Sequence, residues 1–498
     1  MSILSSSTIT SGFVDLATFD ELEKYMYGGK SATVYFVRDT RASTWFTQVP
    51  VTLSKASGTA DFGQDWSVSV SRAGDYLLQT WLRVTIPSVT LSTASTSLAG
   101  INGGAPIPVQ SARLRWTRNL MHNLVRECNI TFNDLSAAKF DSYHLDFWAA
   151  FTTPAGKING YNNMIGSVST LTNAYAAGVP IPTATLNLPL PFFFSRDSGV
   201  ALPTAALPYN EMRINFSFRN WSELLIVDNA SVATVTTSGL AFSRPATSSD
   251  LIGGGPSLGG NGNNVAVWAN YAIVSNDERK RMGCAPRDIL IEQAQLAPVQ
   301  SYTPATNNSP QYDIRFSHAI KALFFSVRNT TCASEWSNYT TASNVYLTPA
   351  VTYDAVTNPT PGSMSFDPIA NVSLIYENTA RLASMGSDYF SLVNPWYTAP
   401  TIPNVTGYHL YSYSLNLINP DPMGSTNYGK LTNVSIAPIP TQEAVDANGS
   451  TGKSFPAGAT TAARKSGVDF RQTYEFRLTA VNNNIIRISG GALGFPVL

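Results

Sequence analysis

The chain has 498 residues and a mass of 53.7 kDa, several times the commonest domain size, so we expect more than one core. Only 13% of its residues are charged, and 32 basic residues balance 32 acidic ones, so direct binding to a nucleic-acid backbone is disfavoured. The 44% of hydrophobic residues supply enough apolar area for packed cores, which excludes a disordered or collagen-like chain.

The cysteines and the N-terminus point to a soluble protein that folds in a reducing compartment. Cys128, Cys284 and Cys332 are too widely spaced for a disulfide framework or a C-x-x-C metal knuckle. Residues 1–12 are rich in Ser and Thr and lack the basic region and apolar core of a secretory signal. No apolar run approaches the roughly 18 residues that span a bilayer.

The N-terminal segment, residues 1–29, is predicted to be an arm with one short helix. Thr18 and Glu21 have the T-x-x-E spacing of a capping box, and apolar residues follow them at helical spacing. Gly28 begins a glycine pair that would end this helix after two turns or so.

Residues 30–275 are predicted to form a first β unit. Apolar and polar residues alternate with period two in the stretches 66–71, 78–86 and 212–219, which is typical of strands with one buried face. Such alternation indicates antiparallel rather than parallel sheets. The unit is expected to end with a strand at 267–274.

A second short helix is predicted at 276–285, where it would connect the two β units. Ser275 and Glu278 repeat the capping-box spacing, and Gly283 would end the helix. We found no strong sequence repeat between the parts of the chain on either side of it.

Residues 286–498 are predicted to form the second β unit, with alternation again at 409–417 and 474–480. Loops rich in Pro and Gly separate the strands, and their lengths favour Greek-key or jelly-roll connections over simple meanders. Three regions have little apolar periodicity and are expected to be exposed contact loops, namely 87–110, 228–264 and 438–468.

One motif superficially matches a catalytic signature. Gly255, Ser257 and Gly259 have the G-x-S-x-G spacing of a nucleophile elbow, but the flanking Gly, Asn and Ser residues do not predict the strand and helix that this elbow requires. A loop between strands is therefore the favoured interpretation. The tract also lacks the G-K-[ST] ending of a phosphate-binding loop.

The histidines do not predict a metal site. None is paired at i, i+4, and the spacing from His122 to Cys128 would need two further ligands nearby. Packing or surface roles are favoured for all four, which are His122, His144, His318 and His409. We therefore predict no catalytic residue, no cofactor-binding residue, no metal ligand and no cofactor.

Several stretches closely resemble signatures of the major capsid proteins of the nucleocytoplasmic large DNA viruses. Some resemble the iridovirid, ascovirid and marseillevirid branch in particular. The matching stretches are SGFVDLA at 11–17, WAAF at 148–151, GYNNMIG at 160–166, LPFFFSRDSGVALP at 190–203, YNEMRI at 209–214, DER at 277–279, ILIEQ at 289–293, RFSHAIK at 315–321 and NIIRISGG at 484–491.

This resemblance implies an all-β fold, a double jelly roll of two tandem eight-stranded antiparallel barrels with a short N-terminal helix and long surface loops. It implies a structural protein whose homotrimers have a pseudo-hexagonal outline and tile an icosahedral shell over an internal membrane. The implied partners are neighbouring capsomers and minor capsid proteins, with indirect membrane association and no direct nucleic-acid binding. The implied location is the virion capsid, assembled in the host cytoplasm, and no enzymatic activity is expected.

A carbohydrate-binding or glycan-degrading tandem jelly roll is the alternative, because lectins share this architecture. Such a protein should show an aromatic platform beside a pair of carboxylates. The nearest candidate platform is Trp396-Tyr397, but no acidic residue lies close to it in sequence. We therefore expect these two side chains to pack at a strand edge.

Overall fold

Antiparallel β-strands make up most of the described protein. The structure, a computed structural model, describes residues 3–100, 106–229, 243–259, 264–341, 367–449 and 472–495. Contacts divide the chain into two compact units, Met1–Trp45 and Phe46–Leu498. The smaller unit contains two helices rather than the single short helix predicted, because Ile3–Ala17 is helical as well as Glu21–Met26. Each large hydrophobic side chain described in this unit is exposed.

Strands β1 to β17 lie between residues 46 and 274, a part of the chain that we call the first half. They are β1 (Phe46–Thr52), β2 (Ser54–Gly58), β3 (Asp65–Ser69), β4 (Tyr76–Ile86), β5 (Val89–Thr90), β6 (Ser97–Leu98), β7 (Ile107–Pro108), β8 (Ala112–Trp116), β9 (Val125–Phe132), β10 (Leu135–Asp141), β11 (Tyr175–Ala176), β12 (Pro180–Ile181), β13 (Ala184–Pro189), β14 (Met212–Phe218), β15 (Leu225–Asn229), β16 (Ser243–Pro245) and β17 (Val265–Val274).

Strands β18 to β28 lie between residues 287 and 494, within what we call the second half, residues 286–495. They are β18 (Arg287–Leu296), β19 (Gln300–Tyr302), β20 (Tyr312–Asp313), β21 (Ala319–Asn329), β22 (Ile369–Tyr376), β23 (Thr379–Gly386), β24 (His409–Ser412), β25 (Thr426–Asn427), β26 (Val434–Pro440), β27 (Tyr474–Ser489) and β28 (Ala492–Gly494).

Each sheet takes its strands from one half alone, within the described residues. The first half has sheets of order β1-β17-β4-β13, β10-β9-β14-β3-β2 and β11-β8-β15-β16, together with the two-stranded sheets β12-β5 and β6-β7. The second half has β18-β27-β21-β24, with β19, β25 and β28 added to it, and β20-β26-β22-β23. Strands far apart in sequence pair directly, as β1 and β17 do from Phe46↔Val274 to Thr52↔Trp268.

The helices are short and lie between or beside the strands. They are α1 (Ile3–Ala17), α2 (Glu21–Met26), α3 (Leu120–Leu124), α4 (Ser142–Thr152), α5 (Ile158–Ile165), α6 (Ser169–Thr172), α7 (Asn276–Cys284), α8 (Asn394–Thr398) and α9 (Gln442–Asn448). A π-helical turn, Tyr389–Val393, leads directly into α8.

Both predicted helices are present, but neither has the predicted cap. Helix α2 begins after Asp20, whose carboxylate accepts hydrogen bonds from the backbone of the first turn, whereas Thr18 donates to Asp15 O at the end of α1. An aspartate next to the first turn reaches its free N–H groups directly, so the box from Thr18 is not needed. Helix α7 follows Ser275, whose side chain makes no cap hydrogen bond, and it contains Gly283 rather than ending there.

The predicted alternation is confirmed in β14, where every second residue from Met212 to Phe218 is buried. It is wrong at 409–417, because β24 ends at Ser412 and all four of its residues are buried. Beyond it, Ser412 Oγ donates to Ser414 O and Ser414 Oγ donates to Asn416 O, at 3.0 and 2.9 Å. These local bonds satisfy the backbone in place of a strand ladder.

The expectation of three exposed loops is confirmed only in part where the structure describes them, because exposed residues there alternate with buried anchors. Within 87–110, Leu91, Leu98 and Ile107 are buried, and within 228–264 Leu258 is buried as well. The start of 438–468 completes β26 and forms α9. The remaining parts of these regions, 101–105, 230–242, 260–263 and 450–468, lie outside the described residues.

Three clusters of buried hydrophobic residues form the core, and the long strand β27 contributes to all of them. Phe476 belongs to the cluster inside the second half, Val481 to a cluster shared by both halves, and Ile486 to the large cluster of the first half. One strand thus ties the two halves together through the hydrophobic core.

Candidate functional site: the junction between the halves

Helix α4 packs its aromatic side chains from the first half against strand β21 of the second. The rings of Phe147 and Phe324 stack with centroids 6.2 Å apart and planes 6° from parallel. Phe147 also lies 5.6 Å from the ring of Tyr339, and Phe151 lies 5.7 Å from that of Phe324. All four residues are fully buried, so separating the halves would expose several aromatic faces to water.

Asp146, also on α4, is the centre of a buried hydrogen-bond network that spans the junction. From the first half, Asn119 Nδ2 donates to it at 3.1 Å and His122 Nδ1 lies 2.7 Å from its carboxylate. From the second half, Ser337 Oγ and Tyr339 OH donate at 2.8 and 2.9 Å. A buried carboxylate is costly without such donors, so its burial depends on both halves being in place.

Arg115 on β8 joins carboxylates from the two halves. Its Nε lies 2.7 Å from Asp228 Oδ2 on β15, and its Nη2 lies 2.8 Å from Glu335 Oε2 in the second half. The three side chains are between 0% and 6% exposed. Burial, with a smaller effect of Glu335, raises the pKa of the neighbouring Cys332 thiol to about 12.

The ring of Trp336 makes cation–π contacts with one arginine side chain from each half. The guanidinium carbon of Arg219 lies 3.7 Å from the ring centroid and that of Arg328 lies 4.1 Å from it. The indole Nε1 donates to Glu223 O at 2.8 Å, which anchors this second-half side chain to the first half. Burial lowers the pKa of Arg219 to about 10, so it stays protonated at neutral pH.

Glu475 on β27 receives charge-assisted hydrogen bonds beside this tryptophan. Arg328 Nη1 and Arg477 Nη2 lie 3.0 and 2.7 Å from its Oε1, and Tyr143 OH of the first half donates to the same oxygen at 3.3 Å. Burial alone would raise the pKa of Glu475, but the two arginines hold it below its usual value.

A further buried cluster connects the LPFFFSRD stretch to the second half. Arg196 Nε lies 3.3 Å from Glu292 Oε2 on β18, and Lys321 Nζ contacts the other oxygen of the same carboxylate. The guanidinium of Arg196 also covers the ring of Trp148 at 3.6 Å. Next to it, burial and then the charge of Arg196 lower the pKa of His144 to about 3, so this histidine is neutral at physiological pH.

The junction therefore joins the described parts of the two halves through shared buried contacts. Its charges are buried in groups with members from both halves, and removing one partner of such a group leaves an uncompensated charge. Relative motion of the halves would expose these charged groups to water or separate them from their partners.

The G-x-S-x-G tract lies in a loop, as the sequence predicts. Ser257 Oγ donates to Asp61 Oδ2 at 2.6 Å, and Leu258 N donates to Asp61 Oδ1 at 2.8 Å. No helix follows the serine in the described residues 258–259, and its hydrogen-bond partner is a carboxylate rather than a histidine. The hydroxyl thus helps to fix the loop.

The histidines and cysteines have separate structural surroundings. His122 Nε2 lies 2.6 Å from Tyr161 OH, and His409 Nε2 lies 2.9 Å from Asp367 Oδ2. His318 has φ 65° in a turn before β21. All three cysteines are unpaired, two of them buried, and the described residues contain no group of three or more His, Cys, Asp or Glu side chains placed to hold a metal ion.

Trp396 and Tyr397 do not pack at a strand edge, so that expectation is wrong. They lie on α8, where they are 71% and 78% exposed. A proline at the start of α8 and the preceding π-helical turn favour helix over strand here. No Asp or Glu occurs between Tyr389 and Pro420, so the carboxylates that a glycan platform requires do not come from this segment.

Comparison with known proteins gives the family. Residues 34–274 match the family described as the major capsid protein N-terminus, and residues 278–494 match the large eukaryotic DNA virus major capsid protein. The chain is 61% identical over 498 residues to the major capsid protein of Costelytra zealandica iridescent virus, covering 99% of this chain and 100% of that protein. It is 44% identical over 504 residues to that of Frog virus 3, covering 100% of both. The chain belongs to the major capsid protein family of large DNA viruses.

The capsid protein has the double jelly-roll fold. Its structure resembles PBCV-1 VP54, fitted into a reconstruction of the virophage Sputnik, with a TM-score of 0.68, 19% identity and coverage of 93% of this chain and 100% of that one. It also resembles the Faustovirus major capsid protein, with a TM-score of 0.64, 12% identity and coverage of 94% of each. As a major capsid protein it is a structural component of the virion capsid, and its family is a structural family rather than an enzyme family. None of its described helices is long and apolar enough to cross a bilayer.

Sequence reasoning missed the junction residues of the capsid protein. No catalytic or metal-binding motif includes Arg115, Asp146 or Glu335. Their partners in the structure lie tens to hundreds of positions away in the sequence. The sequence offered one hint of a buried site, a tryptophan, Trp336, next to Glu335 in a polar stretch. This hint does not show which distant residues these two side chains contact.

Proposed function

We propose that the chain assembles as a homotrimer with a pseudo-hexagonal outline, and that these trimers tile the faces of an icosahedral shell over an internal membrane. Each chain has two similar jelly rolls, so three copies place six similar jelly rolls around one axis. A three-fold assembly of this kind can pack in a hexagonal lattice. We assign residues 30–275 to the first roll, 276–285 to the helical connector and 286–498 to the second roll.

The observation that carries this proposal is the buried junction. A trimer has a hexagonal outline only if both rolls of each copy keep a fixed relation. Arg115 between Asp228 and Glu335, and Asp146 with donors from both halves, supply such a fixed relation. Buried charges shared by two halves make sliding costly.

The proposed partners are further copies in neighbouring capsomers and minor capsid proteins. Residues 1–29 are assigned to an arm on the inner side of the shell, where association with the internal membrane would be indirect. Assembly is assigned to the host cytoplasm. The role is structural, without catalysis, cofactor or direct contact with nucleic acid.

Light scattering on the purified chain tests this proposal. The expected mass is three times 53.7 kDa at micromolar concentration, with well over ~2,000 Å² buried between copies, as is usual for obligate contacts. A stable monomer at that concentration would contradict it.

A further inference from the structure

The second half presents an exposed aromatic surface that the junction does not use. It consists of Val393, Trp396, Tyr397 and Leu415, which are 43%, 71%, 78% and 76% exposed, and we call it the Trp396 ridge. Exposed Trp and Tyr on neighbouring elements are unusual on a soluble surface and are enriched at the energetic centres of protein interfaces.

The elements that carry the ridge are adjacent and held in place. Leu417 N donates to Thr398 O at 2.9 Å, which joins the end of α8 to the turn that carries Leu415. The buried side chain of Asn394, at the start of α8, accepts from Ser412 N at 3.2 Å. Because the backbone beneath the ridge is ordered before any contact forms, binding there costs little conformational entropy.

The backbone entering the ridge is also irregular. The π-helical turn Tyr389–Val393 widens the chain just before α8, and Phe390 inside it is buried against the second core. Such turns are frequently found at functional sites. This one ends at Val393 and leads into the turn that exposes Trp396 and Tyr397.

The ridge lies in a stretch without charge. Between Tyr389 and Pro420 there is no Asp, Glu, Lys or Arg, and the single histidine there, His409, is buried. Depletion of charge together with aromatic enrichment marks the centre of a protein interface. Such a surface fits an apolar or hydroxyl-bearing protein face.

We propose that the Trp396 ridge is a main contact between copies of this chain within its oligomer. This inference rests on the proposed function, in which further copies are the principal partners. The chain has no net charge, so copies do not repel one another, and the ridge needs no charged counterpart. Trp396 and Tyr397 would each bury on the order of 150–250 Å², a substantial part of the roughly 800 Å² per partner of a stable contact.

In a three-fold oligomer this contact is heterologous. The ridge of one copy meets a different surface of the next copy, and the relation repeats around the axis until it closes. A single ridge substitution therefore affects every contact of the trimer.

The test compares self-association of the full-length wild type with that of Trp396→Ser and Tyr397→Ser. Because both side chains are exposed, the variants should fold and keep the circular-dichroism spectrum of the wild type. Each should weaken self-association at least about 30-fold in dilution series followed by light scattering, the loss expected for a central aromatic residue. Tyr25→Ser is the matched control, since Tyr25 is 87% exposed in the arm, residues 1–29, and should leave association unchanged.

A photo-crosslinker at Tyr397 supplies the second measurement. Crosslinking to another copy supports the inference. Variants that trimerise like wild type, or a Trp396 that stays accessible to oxidation in the trimer, would overturn it. Glycan binding that the ridge variants lose while trimers persist would also overturn it. A wild-type chain that never trimerises would contradict the proposed function itself.

Discussion

Glu335 Oε2 of the second half lies 2.8 Å from Nη2 of Arg115 in the first half, and both side chains are almost fully buried. On its other side, the same guanidinium meets Asp228 at 2.7 Å. One positive charge thus balances two carboxylates across the junction, and the stability of the chain should depend on it.

Arg115→Met should destabilise the folded chain by about 3–5 kcal/mol, because it leaves two buried carboxylates without their partner. Unfolding in urea, followed by fluorescence, measures this change. The control is Arg487→Met, which breaks a pair with Asp288 whose side chains are 56% and 50% exposed, and it should leave stability nearly unchanged. Equal stability of the two variants would contradict a structural role for the buried group.

His144 should make the folded chain less stable in acid. Its pKa falls from 6.5 to about 3 on folding, so between these values the unfolded chain binds a proton that the folded chain does not. Above pH 6.5 the histidine is neutral in both states, so the free energy of unfolding does not depend on its protonation. Below pH 6.5 this residue lowers the free energy of unfolding by about 1.4 kcal/mol per pH unit.

His144→Phe removes this titration. Its unfolding free energy, measured from pH 7 to pH 4, should rise relative to wild type as pH falls, since Phe140, Trp148 and Phe324 already surround the position with aromatic rings. Parallel curves for the two proteins would show that His144 titrates alike in both states.

Ser257→Ala should leave assembly unchanged and cost about 1 kcal/mol, because the hydroxyl makes two exposed hydrogen bonds, one to Asp61 and one from Gly259 N. The wild-type protein should show no esterase turnover and no labelling by a serine-directed fluorophosphonate probe. Stoichiometric labelling at Ser257, read by mass spectrometry, would overturn the assignment of a structural loop.

Deleting residues 1–29 should leave folding and trimer formation largely intact but impair incorporation into closed shells. In this segment Leu22, Tyr25 and Met26 of α2 are 66%, 87% and 59% exposed, and a six-residue helix is too short to be stable alone in water, so it needs a docking partner. Light scattering and shell assembly are the two measurements. Loss of trimers, or assembly as efficient as that of the full chain, would contradict an inward arm.

The strands were predictable where one face of a sheet is wet, because alternation then appears in the sequence, as in β14 from Met212 to Phe218. The prediction from alternation failed in β24, because His409 to Ser412 are all buried. The order of polar and apolar residues there does not show which side chains point into the core. Helix α4 was missed for the same reason, since its buried residues include Ser142, His144 and Asp146. Pairing of these polar residues with the second half is a tertiary effect that local sequence does not encode.

Electron microscopy of the purified full-length chain tests the central claim most directly. The account predicts a three-lobed particle with a roughly hexagonal outline, in which each copy contributes two adjacent bodies that keep one fixed relation. Separate two-lobed monomers, or particles whose two bodies vary in relative orientation, would contradict it.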